Sequence, residues 1–138
     1  MPAGASPTYA NTPYNNGVAF DDGDGTTAKV VAYGNTAILV LRAILLTNLS
    51  GTAYTFDVFL RRSAVDYQLA RVQVAANAGH ANGTPAKNLL DPDILPGLDS
   101  EPNTKLVLEA TDQIVLQPVA GLGSGHEVHV VVLGGKAT

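Results

Sequence analysis

Asp22, Asp24 and Thr26 stand at the first, third and fifth places of what could be a calcium loop, where alternate oxygen-bearing side chains turn toward one cation. The twelfth place needs a bidentate glutamate, but Tyr33 holds it, and strand-forming residues follow where that motif requires a helix. The Asp-Asp-Gly-Asp-Gly run therefore reads as a turn. Gly121-x-Gly123-x-Gly125 has the glycine spacing of a phosphate loop but lacks the helix whose N-terminus would hold the phosphate, so it reads as a mobile hairpin tip. In His126-Glu127-Val128-His129 the histidines are three apart. On a strand they point to opposite faces and cannot share a metal, whereas Glu127 and His129 share a face and can form a surface pair. His80 lies in a loop remote from both. None of the serines sits in a Gly-x-Ser-x-Gly elbow, and Asp91 and Asp93 flank Pro92 as turn residues. The chain holds no cysteine, which excludes thiol nucleophiles, disulfides and zinc–cysteine sites. These residues point to no catalytic, metal or cofactor site, and to a protein that is not an enzyme.

The element around which the chain is organised is 38–48, ILVLRAILLTN. As one long strand it sends Ile38, Val40, Ile44 and Leu46 to one side and Leu39, Leu41, Ala43 and Leu45 to the other, with Arg42 as the interruption. An antiparallel strand with one wet face alternates apolar with polar. This one is apolar on both faces, so its own domain covers one and a second subunit is expected on the other.

Around it the sequence alternates strands with Gly, Pro, Asn and Asp turns: strands are expected at 18–20, 28–33, 53–60, 67–74, 105–109, 113–117 and 127–133. In 53–60 Tyr54, Phe56, Val58 and Leu60 face the core, and Thr55 and Asp57 face out. Pro92 and Pro96 block a long helix in 87–98, which reads as a helical turn or an irregular apolar crossing that caps the fold. Residues 134–138 read as a tail. Seven or eight short strands without a convincing helix predict an all-β protein, a single antiparallel β-sandwich of immunoglobulin-like or jelly-roll type over 18–138. Residues 1–17 are polar and without hydrophobic period. They are expected to form an extended N-terminal arm that lies on a partner through Tyr9 and Tyr14. The expected interface is thus Tyr9 and Tyr14 from the arm with Ile38, Val40, Arg42, Ile44 and Leu46 from one strand face.

Composition supports concealment of surface. At 138 residues the chain has one domain's worth of core. Charged residues are 14% against 46% hydrophobic, where about 25% charged is usual. Eight basic residues are scattered against 12 acidic ones, a net charge of −4, so there is no basic patch for direct nucleic-acid binding. The N-terminal stretch lacks the charged start and apolar run of a secretory signal. No apolar run reaches the ~18 residues of a membrane-spanning helix, so no membrane partner is expected.

Thr47-Asn48-Leu49-Ser50-Gly51, the strand ending Phe59-Leu60-Arg61-Arg62, the run Asp66-Tyr67-Gln68-Leu69-Ala70-Arg71 and the segment from Leu106 to Ile114 together resemble small β-sandwich structural proteins of tailed bacteriophage virions. The start Asp24-Gly25-Thr26-Thr27-Ala28-Lys29 fits as well, and the likeness spans about 24–133. In that family a Leu-Glu-Ala-Gly-Asp turn separates two strands; here Thr111 replaces the glycine. The resemblance implies a capsid decoration (cement) protein that binds and stabilises the lattice of the major capsid protein. The alternative is a neck, collar or tail-fibre attachment protein. It further implies a homo-oligomer, a trimer above all, on the virion capsid surface and in the host cytoplasm during assembly. A carbohydrate-binding adsorption module is the third reading, with five Tyr, three Phe and no Trp to supply its stacking surface.

Overall fold

The computed structural model describes residues 11–81, 83–98 and 104–137. Among them run nine strands: β1 (Thr12–Phe20), β2 (Lys29–Tyr33), β3 (Ile38–Asn48), β4 (Tyr54–Arg62), β5 (Val65–Val74), β6 (Lys87–Asn88), β7 (Leu106–Leu108), β8 (Gln113–Pro118) and β9 (Val128–Ala137). Sheet A has the order β1-β9-β3-β6, with β7 also paired to β3; sheet B has the order β2-β8-β4-β5, and every pairing is antiparallel. The chain changes sheet at every connection except the β4–β5 hairpin and the step from β6 to β7. The protein is an all-β sandwich, and this strand order makes it a jelly roll, one of the two sandwich types the sequence left open.

The core lies between the sheets. Phe20 of sheet A meets Phe56 of sheet B edge to face, with ring centres 5.2 Å apart. Leu39, Leu41, Ile44 and Leu46 of β3 pack with Val58, Ile114 and Leu116 of sheet B, all fully buried. Each such side chain stabilises by about 1.5–3 kcal/mol, an upper estimate given a compact unfolded chain. The four core residues expected on β4 do face this way. Leu89, Leu90 and Leu95 cap the sandwich from 87–98, where a single turn closes on the Asp91 carbonyl, in keeping with the apolar crossing expected there.

The alternation on β3 is not continuous. Leu41 pairs with Gly134, but Ala43 pairs with the very next residue, Leu133, so Arg42 is the extra residue of a β-bulge. A bulge advances the side-chain phase by one residue. Leu39 and Leu41 point inward before it, and Ile44, Leu46 and Asn48 after it. The expected single face of Ile38, Val40, Ile44 and Leu46 is therefore split, its first half facing out and its second half in the core. The bulge needs Gly134: a Cβ there would collide with the Val40 carbonyl oxygen and come within 3.0 Å of the Leu41 Cα.

Three further expectations need correction. β1 begins at Thr12 and pairs with β9 along its whole length, so residues 12–17 belong to the sandwich rather than to an arm. Their polarity conceals this because polar groups hold them: Tyr33 N–H donates to the Tyr14 hydroxyl (3.0 Å) and Asn16 Nδ2 donates to the Val31 carbonyl (2.8 Å), tying the sheets together. The expected tail also continues as β9 to Ala137, between β1 and β3. The 121–125 loop is anchored: Leu122 is buried, Gly123 N–H donates to the Tyr54 hydroxyl, which also pairs with His126 Nδ1, and Gly125 N–H donates to Asp22 Oδ2.

Candidate interaction surface

The residues that could have done chemistry serve turns. Asp24 Oδ2 accepts from Asp21 N–H (2.8 Å) and pairs with Lys29 Nζ (2.9 Å), and its carboxyl is held below its ordinary value chiefly by the Asp21 amide. Asp91 Oδ1 accepts from Asp93 N–H, closing the turn. Glu127 and His129 lie 3.7 Å apart on one face, as the strand spacing required. Among the described residues no three metal-ligating side chains converge. Asn48, fully buried, accepts from the Ser50 amide and hydroxyl and donates to the Thr52 and Ala75 carbonyls, which pins the end of β3. The Asn-Leu-Ser segment is thus a structural lock.

What the fold does build is a surface. The outward residues of β9 are His129, Val131 and Leu133; beside them on β3 lie Thr47, Leu45 and Ala43, and on β1 Ala19, Gly17 and Asn15. On the far side of β3, outward Val40 stands opposite Val107 of β7. Val107 is 57% exposed, and Val131 and Leu133 are 40% exposed each. Gly17 and Ala19 leave a shallow groove of about 240 Å³ against His129 and Val131. Arg42 rises from the bulge beside Pro13 and Gly135, with no ion-pair partner among the described residues.

Of the expected interface, then, Ile38, Val40 and Arg42 lie on this outer face. Ile44 and Leu46 are core residues that cannot touch a partner. Tyr14 is half-buried at the sandwich edge, under Lys136 Nζ at 5.6 Å from its ring centre. Tyr9 lies outside the described residues. Sequence reading missed Val107, Val131 and Leu133. The last two sit in the apolar run Val130 to Leu133, whose alternation was legible, but which side was wet depended on the topology.

No family model matches the chain, and no curated protein matches it. Among solved structures, the core of the Drosophila protein NLP is similar to it, with 13% identity over 90% of this chain and 98% of that one, at a TM-score of 0.43. That structure's description concerns pentamer formation and histone binding by that protein. The expectation of a capsid decoration protein is corrected: the likeness found is to a structure described for pentamer formation and histone binding. The cement role, the neck, collar and tail-fibre alternative, the carbohydrate-binding reading and the major capsid protein as partner fall with that expectation.

Proposed function

We propose that this chain is a non-enzymatic assembly module that forms a homo-oligomer through the outer face of sheet A. One observation carries this reading: Val131, Leu133 and Val107 stand exposed on a face whose remaining outward residues are mostly small or aliphatic. Contiguous apolar surface of this kind marks association sites, since a soluble monomer gains nothing by displaying it. A second copy of the chain is the occupant that accounts for the low charge content, because it hides the same face on every subunit.

Sedimentation velocity across a concentration series tests this. The expected result is a reversible, concentration-dependent oligomer that Leu133→Asp abolishes while the thermal midpoint of the fold stays put. A chain that sediments as a monomer at all concentrations removes the reading.

A further inference from the structure

We infer that two copies pair about a two-fold axis running between Val40 and Val107, with the basic end of this patch in one copy meeting the acidic end in the other. The inference rests on self-association through sheet A and specifies its geometry. β3 and β7 run antiparallel, with Val40 opposite Val107 in the middle. Continuing this ladder one residue past each end brings exposed Lys105 alongside Arg42 and exposed Glu109 alongside Ile38. Neither Arg42 nor Lys105 has an ion-pair partner among the described residues. Glu109 is 79% exposed and makes only a loose contact with Arg62 at 3.6 Å, whose close partner is Asp112 at 2.6 Å.

Along the strands the patch thus reads positive, apolar, negative over about 13 Å, at ~3.3 Å per residue. A half-turn about its centre exchanges the two ends. An isologous interface requires that self-complementarity: each charge must face its opposite when the patch meets its own copy. Val40 and Val107 then pack on their counterparts, and each Glu109 meets Arg42 and Lys105 of the other copy. Like charges brought together by any other register would be penalised, so the charges select the pairing more than they strengthen it.

The test uses two charge-reversed chains followed by sedimentation equilibrium. Arg42→Glu with Lys105→Glu makes both ends acidic; Glu109→Arg makes both ends basic. Each alone is expected to weaken dimerisation by at least tenfold, and an equimolar mixture to recover it, because both junctions of the mixed dimer are again opposite in sign. Glu109→Gln, which preserves side-chain shape, gives a smaller loss in the same direction should the reversal disturb the fold. Reversed chains that pair as tightly as the unaltered protein, a mixture that stays monomeric, or an odd-numbered oligomer overturns the two-fold pairing while leaving self-association intact. An unaltered chain that never associates instead overturns the reading beneath it.

Discussion

The two outer faces of this sandwich solve the same problem in opposite ways. Sheet B covers itself with cross-strand ion pairs. Arg61 meets Asp66 at 2.6 Å and Arg71 meets Asp57 at 2.7 Å, each pair in register between β4 and β5, and Gln68 adds a bond to Asp57 at 3.0 Å. Its outward Val115, next to Phe59 of β4, is fully buried. Among the described residues the outer face of sheet A carries only the loose Glu127–His129 pair at 3.7 Å: where B sets arginine against aspartate, A sets Leu45 against Val131 and Ala43 against Leu133. Exposed pairs of the B type add little stability but make a face that other chains do not wet. Sheet B thus presents a face laced with charge, although its edge strand β5 also exposes Val65, Tyr67 and Leu69, and sheet A presents the face on which the proposed pairing rests.

The hardest blow to this contrast is removal of residues 1–16. It strips most of β1 from the edge of sheet A and takes with it Tyr14 and Asn16, whose bonds to β2 join the sheets. Urea denaturation is expected to show most of the stability lost or no cooperative transition. A truncated chain that unfolds at the native midpoint would mean that β1 is an ornament, and that sheet A's outer face begins at β9.

Smaller but more specific is Val131→Asp or Leu133→Asp set against Asp57→Ala. A carboxylate forced into a dry apolar contact weakens association by roughly a hundredfold or more. Asp57→Ala frees Arg71 and Gln68 on the other face and leaves the oligomer unchanged, with a slightly lower melting point. Equal effects of the two on association, read by sedimentation, would dissolve the difference between the faces.

How much of this the sequence disclosed depends on the strand. β4 alternates cleanly and was legible, because Phe56 and Val58 point inward and Thr55 and Asp57 outward without interruption. β3 was legible as a strand and as a ribbon apolar on both sides. Its facing was not, because Arg42 looks like a polar residue in phase and is in fact the one that breaks the phase. A bulge is set by the partner strand, here by Gly134, a residue 92 positions away that reads locally as part of a tail. β1 was illegible for another reason: an edge strand held by ladder bonds and two polar side chains carries no hydrophobic period. The outer surface could be inferred as a need for cover, but its members come from β3, β7 and β9 and exist only through the topology.

Acid distinguishes the faces in a third way. The bonded guanidinium holds each aspartate below its ordinary 3.8: Arg71 at Asp57, Arg61 at Asp66 and Arg62 at buried Asp112. In the unfolded chain these groups take up protons near 3.8, so acid favours unfolding. Their contribution is complete above about pH 5 and drains away as pH falls below ~4 toward the folded values. Thermal melts should be flat in this respect from neutral pH down to ~5, then drop by several degrees. Asp112→Asn is expected to lower the neutral plateau and flatten the drop, whereas Leu133→Asp, on the other face, leaves the drop in place.

The mildest change concerns the turn that hands the chain from sheet A to sheet B. Thr111 sits between β7 and β8 at φ +74°, a left-handed conformation that a β-branched residue adopts only under strain. The backbone here has the shape glycine prefers. Thr111→Gly relieves the ~1–2 kcal/mol that the Cβ costs and returns part of it as extra freedom in the unfolded chain. A net gain of about 0.5–1 kcal/mol follows, seen as a higher denaturation midpoint with the same slope and the same oligomer. Because the turn closes on Glu109, the acidic end of the patch on sheet A, unchanged association here would show that the strain at Thr111 and the pairing are independent.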